Sequence, residues 1–201
     1  MNDRPILLPE RTPVAILVAL PEELSFEASP ELKERFQIIY TGVGKVNAAY
    51  LTTKYVLSMR PSFLLNFGSA GRIAPNVSGL VEVSSVIQRD MAAEPLAPRG
   101  ETPFSNAPHE LQSNQSGVRC GTGDSFVTSH DDWLQEQSVD IVDMELFAIA
   151  AVCEREGIPW RSFKYISDDA NGDAGKDWSE NLRAGQALLV EKLDALCEFA
   201  A

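Results

Sequence analysis

Two patterns of apolar spacing alternate along this chain. Val14 to Leu20 is an unbroken apolar run, partly β-branched, and reads as a strand covered on both faces. Further strand-like runs are Phe36 to Tyr40, Phe63 to Gly71, Leu80 to Asp90, Val118 to Gly123, Ile141 to Asp143 and Trp160 to Ile166. Helix spacing occupies the intervals. Lys45 to Met59 carries a stripe at Val46, Ala49, Tyr50, Thr53, Val56 and Leu57. In Met144 to Val152 the residues Met144, Phe147, Ala148, Ala151 and Val152 fit a buried helix face that Gly157 and Pro159 terminate. A last helix is expected from about Trp178 onward, with Leu189, Leu193 and Leu196 on one face.

Strands alternating with helices predict an α/β fold, one domain over residues 1–201 with a loose polar arm at 1–12. Pro21-Glu22-Glu23 reads as a short acidic turn or helix start. Met91 to Gly117, rich in Pro, Ser, Asn and Gly, is expected to be one long loop, a kind of segment that is usually functional or mobile.

A hydrophobic content of 44% and a charged content of 23% are ordinary for a soluble globular protein. The net charge of -12 argues against a nucleic-acid partner, which would require clustered Lys and Arg. Cys120, Cys153 and Cys197 are odd in number and widely spaced, so free thiols in a reducing compartment are expected rather than a disulfide framework or a metal site. With His109 and His130 the only histidines, a histidine-based metal site or triad has little material. No run approaches the roughly 20 apolar residues of a membrane span. These readings favour a cytoplasmic protein without a membrane partner.

The chemistry gathers at strand ends. Phe163 to Asn171 is an apolar strand that stops abruptly in Ser167-Asp168-Asp169, and open α/β sheets bind ligands at the carboxyl ends of their strands. An Asp there also serves as a helix N-cap, so both roles are open. Glu22/Glu23, Gly68 to Gly71, and Asp124/Phe126 end other strands, while Asp143-Met144-Glu145 opens a helix. Carboxylates, one aromatic and a Gly-Ser-Ala-Gly turn suit acid–base hydrolysis of a flat, neutral, hydroxyl-bearing molecule. Gly42-Val43-Gly44-Lys45 fails as a phosphate loop, because Val46 stands where Ser or Thr is required. Asp168, Asp169 and Glu145 are too dispersed to specify a hard cation, and no metal is expected.

Thr41 to Ala49, Asn66 to Gly71, Gly123-Asp124-Ser125-Phe126, Val142-Asp143-Met144-Glu145 and Ile166-Ser167-Asp168 follow the order found in the nucleoside phosphorylase and nucleosidase superfamily. Within it the chain resembles 5′-methylthioadenosine/S-adenosylhomocysteine nucleosidases over about Val14 to Ala195. The resemblance implies a three-layer α/β/α domain with a central mixed sheet, no cofactor and a homodimer. It further implies that Asp168 protonates purine N7, that Ser167 orients Asp168, and that Glu23 activates water. Glu145 would hold the ribose hydroxyls, Met144 would pack on the sugar, and Phe126 would stack on the base. Ser69 would lie near sugar and water, with the backbone of Val127 at the base edge. Asp168 must then keep a proton near neutral pH while Glu23 stays ionised.

Several positions depart from that pattern. Pro21 replaces an acid, Asp143 replaces Glu, and Lys164 replaces Arg, which makes Lys164 a marker of altered substrate. The 91–117 segment has its own sequence in the region that shapes the 5′ end of the family pocket and often reaches a neighbouring subunit. Phosphorolysis is the close rival. It requires basic groups, and Arg72 is the residue that argues for it, whereas Glu23 suits water. Another nucleosidase, such as a futalosine hydrolase, and a nucleoside-binding protein without turnover also stay open.

Overall fold

Every residue of the first strand is buried, because alternate side chains enter two different cores. The computed structural model describes residues 14–27, 33–181 and 184–198, without the side chains of 179, 180 and 196–198. The expected arm at 1–12 and the Leu196 side chain lie outside that set. The elements in chain order are β1 (Val14–Val18), β2 (Phe36–Tyr40), α1 (Lys45–Met59), β3 (Leu64–Arg72), β4 (Leu80–Gln88), β5 (Glu110–Gln112), β6 (Val118–Thr122), α2 (Asp132–Glu136), β7 (Ile141–Asp143), α3 (Leu146–Glu156), β8 (Trp160–Asp168), α4 (Ala174–Asn181) and α5 (Gly185–Glu198). Ala15 and Leu17 of β1 pack with Ala48 and Val56 of α1 and Leu146 and Ile149 of α3. Val14, Ile16 and Val18 pack on the opposite side with Leu189 and Leu193 of α5. Period-two alternation in a doubly covered strand thus yields the three layers, helix on sheet on helix.

The eight-stranded sheet runs β2-β1-β3-β7-β6-β4-β5, and β8 joins it by pairing both β3 and β4. The strands β3, β7, β6, β4 and β8 therefore close into a ring, which departs from a simple open sheet. β8 runs parallel to β3 and antiparallel to β4, so the sheet is mixed. Ala70 faces Ile166, but Gly71 faces Asp168, leaving Ser167 as the extra residue of a bulge. At the same place Gly71 and Arg72 also pair with Val142 and Ile141 of β7. A bulge at a barrel-like rim re-aims side chains, and here it places Ser167 and Asp168 beside the end of β3.

Several expectations are corrected. α1 spans the expected residues, but its buried line is Ala48, Thr52 and Val56. Val46, Tyr50 and Leu57 are 79%, 63% and 58% exposed. The small side chains let α1 lie close to α3, which leaves its larger apolar residues facing outward. In α3 the deepest residues are Leu146, Ile149, Ala150 and Cys153, while Phe147, Ala151 and Val152 are half-buried. The 91–117 segment is not wholly irregular, since Ser85, Val86 and Ile87 of β4 pair antiparallel with β5. Asp131 caps the unanticipated helix α2, accepting from the Trp133 N–H. The single terminal helix is two helices, α4 and α5.

Candidate active site

A cavity of about 160 Å³ opens where the ring of strands meets the turn after β1 and the start of α3. Glu23, Ser69, Phe126, Val127, Met144, Glu145, Ser167 and Asp168, all singled out in the sequence, line it. Residues from the turn, β3, the 123–127 loop, the α3 start and β8 thus converge on one space.

Glu23 is buried in a turn closed by its own N–H donating to the Leu20 carbonyl. Ser69 donates its backbone N–H at 2.9 Å and its hydroxyl at 2.8 Å to Glu23 Oε1. Leu20 N–H donates to Oε2 at 3.1 Å. An ionised carboxylate offers about four lone-pair positions. Among the described residues, the open one is therefore on Oε2. Glu23 is held firmly, with one acceptor position left for a further donor.

In the same cavity, Asp168 Oδ2 accepts from the Ser167 hydroxyl at 2.9 Å and Oδ1 accepts from Ala170 N–H at 2.9 Å. Asp168 lines the cavity and closes the local turn through Ala170, but it does not cap a helix, because α4 begins only at Ala174. Gly71 is required beside it, because a Cβ there would stand 2.8 Å from Asp168 Oδ1.

Glu145 is the N-cap residue of α3, and its Oε1 accepts the Gly44 N–H at 2.8 Å. Gly44 presents that N–H from a backbone with φ of 90°, in the region that favours glycine. Asp143 lies behind Glu145. It accepts from Leu146 N–H at 2.8 Å and from the Thr122 hydroxyl at 2.5 Å, and it pairs with Lys164 at 2.8 Å. Burial pushes Glu145 up to about 7, helped by the Asp143 charge and opposed by Lys164. Burial would also raise Asp143, but the Lys164 ammonium brings it below its ordinary value. Lys164 is itself held above the usual lysine range, because Asp143 and Glu145 outweigh its burial.

Other expected residues fall elsewhere. Lys164 is sealed beneath the site, 1% exposed, and does not line the cavity. Arg72 pairs with Asp169 at 2.5 Å, outside the cavity lining. Asp124 is also outside the lining and accepts the Lys45 N–H at 2.7 Å at the start of α1.

Two lining residues were missed from sequence. Arg89, just beyond β4, is buried and donates to the carbonyls of Gly123, at 3.0 Å, and Ser125. It thereby pins the loop that carries Phe126 and Val127. A lone charge at a strand end marked only a boundary, although the strand-end rule applied to the other clusters would have included it. Trp178 of α4 stands edge-on to Phe126 with ring centroids 6.0 Å apart, and its indole N–H donates to Ser69 Oγ at 2.8 Å. It was read only as the start of a helix.

Among the described residues, no cluster of three His, Cys, Asp or Glu is arranged to hold a metal ion. No helix among them is long and apolar enough to cross a membrane.

The family profile described as Phosphorylase superfamily matches residues 31–199. A 5′-methylthioadenosine/S-adenosylhomocysteine nucleosidase of Haemophilus influenzae (strain PittGG) is 30% identical over 186 residues, 79% of this chain and 81% of that protein. One from Anoxybacillus flavithermus is 30% identical over 174 residues, 73% of each chain. In fold, the chain is similar to the Streptococcus pneumoniae MTA/SAH nucleosidase in complex with 8-aminoadenine, with a TM-score of 0.77, 20% identity, and 92% and 99% of the two chains covered. It is equally similar to Helicobacter pylori futalosine hydrolase, with a TM-score of 0.80, 21% identity, and 93% and 97% covered.

Proposed function

The chain belongs to the phosphorylase superfamily, and from that premise we propose that it is a nucleosidase that hydrolyses the N-glycosidic bond of an adenosine-type purine nucleoside. The observation that carries this reading is the meeting of Glu23 and Asp168 in one cavity, with Glu145 beside them. Asp168 gives its proton to purine N7 as the bond from the sugar C1′ to N9 breaks, and the bonding pair leaves with the base. The sugar carbon gains oxocarbenium character. Water attacks it and loses a proton to the open position on Glu23 Oε2. Ser167 orients Asp168, Glu145 holds the ribose hydroxyls, and Met144 packs on the sugar. Phe126 stacks on the base, with the Val127 backbone at its edge. No step calls for a cofactor.

The disposition of basic groups supports water over phosphate. Arg72 is occupied by Asp169, and the terminal nitrogens of Arg89 donate to oxygens of Gly123 and Ser125, leaving only its buried Nε without a partner among the described residues. A phosphate would also meet the Glu23 carboxylate. The outward face of α1, with Val46, Tyr50, Leu57 and Met59 exposed, supports a homodimer through that helix. Cys120 and Cys153, both buried and free, suit a reducing cytoplasm.

The test is purine release from methylthioadenosine, adenosylhomocysteine, inosine and futalosine, each with and without phosphate. Phosphate-independent release of adenine is expected. Release only in the presence of phosphate would make the protein a phosphorylase, and nucleoside binding without release would make it a binder.

A further inference from the structure

Ser69 is the hub between the carboxylate assigned to water and an aromatic residue from another element. A serine hydroxyl has one proton to donate, and an indole N–H can only donate. Trp178 Nε1 lies 2.8 Å from Ser69 Oγ, which lies 2.8 Å from Glu23 Oε1. The direction of the chain follows: Trp178 donates to Ser69, and Ser69 donates to Glu23. We propose that Trp178 is a positioning residue for the water-activating carboxylate and acts on it through the Ser69 hydroxyl. The proposal rests on the reading of Glu23 as the base.

Two consequences give the link its value. A hydroxyl that accepts from one donor becomes a better donor to the next acceptor, so the indole strengthens the Ser69–Glu23 bond. It also holds the serine oxygen in place, which keeps Oε1 occupied and leaves Oε2 turned to the substrate. Phe126, edge-on to the same ring, braces the indole from the side of the 123–127 loop. Since α4 follows directly on the Asp168 segment, the stretch that bears the acid also steadies the base. One segment of chain sets both ends of the proton traffic.

A double-mutant cycle on the full chain, with methylthioadenosine as the probe, decides the matter. Trp178→Phe keeps an aromatic wall but deletes the N–H. It is expected to lower kcat about tenfold with KM changed less than about twofold, the scale of one charge-linked hydrogen bond. Ser69→Ala is expected to lower kcat further. In the Ser69→Ala background, Trp178→Phe should then cost less than about twofold, because the link is already cut. Replacing Trp178 with 3-benzothienylalanine, which preserves shape and lacks the N–H, should match Trp178→Phe and guards against a repacking artefact. Losses that multiply across the cycle, or a rise in KM alone, overturn the proposal and leave Trp178 as pocket wall. Normal turnover by Glu23→Gln removes the base assignment itself, and the proposal with it. Inactive Glu23→Gln with an additive cycle removes only the link to Trp178.

Discussion

Lys164 Nζ stands 2.8 Å from Asp143 Oδ2, with side chains 1% and 0% exposed. These are two of the positions that depart from the family pattern, and the structure shows them to be one ion pair. Removing one partner leaves a buried charge without compensation, so Lys164→Met or Asp143→Asn should each cost about 3–5 kcal/mol. The double substitution should cost clearly less than the sum, since neither charge then remains. Urea denaturation of the three variants provides the measurement, and simple additivity would refute the pairing.

Glu145 ties stability to pH. Its folded value of about 7 lies above the ordinary 4.5. Between those values the folded protein keeps a proton that the unfolded chain has lost. Stability therefore falls as pH rises through that range, and the whole cost, on the order of 3 kcal/mol, is present above it. Glu145→Gln should flatten the slope and raise Tm at pH 8 relative to the parent. It should also raise KM about tenfold by weakening the grip on the ribose hydroxyls. Melts at pH 5 and pH 8 with parallel kinetics check both effects.

Asp168→Asn and Glu23→Gln should each lower kcat by about 10²–10⁴-fold, the usual worth of a positioned acid or base. Circular dichroism of both variants should match the parent. Either variant working at a near-normal rate loses its residue from the mechanism.

Arg89→Met should raise KM about tenfold while changing kcat less, because the 123–127 loop loses the donors that hold it. Titration of a non-hydrolysable adenosine analogue would read the same loss as weaker binding. Unchanged affinity would show that the loop is held by other contacts.

Tyr50→Glu places a charge in the middle of the outward apolar face of α1. Sedimentation should shift from dimer to monomer with helix content unchanged. A parent chain that sediments as a monomer at every concentration would rule out that interface.

The strands were legible because a strand buried on both faces is written as an unbroken apolar run, as in Val14 to Val18. The carboxylates were legible because each follows such a run or opens a helix. The buried face of α1 was not, since hydropathy ranks Tyr50 and Leu57 above Ala48 and Thr52, while close helix packing prefers the small pair. Arg89 was missed because its value lies in backbone carbonyls distant in sequence, which composition does not display. The bulge at Ser167 lies in the pairing of β3 with β8, strands far apart in sequence, and so has no local signature.

The closed ring also orders events during folding. Gly71 and Asp168, paired across the bulge, are 97 residues apart in sequence. Loop-closure entropy for so distant a pairing must be met before the contact stabilises anything. Among the described strands β8 comes latest in the chain, so it leaves the ribosome after the other seven. A nascent chain can pair β1, β2 and β3 early, yet it then holds Glu23 and Ser69 without Asp168. Asp168, the bulge and Trp178 lie on one stretch of chain, so the cavity wall is complete only once that stretch joins the ring.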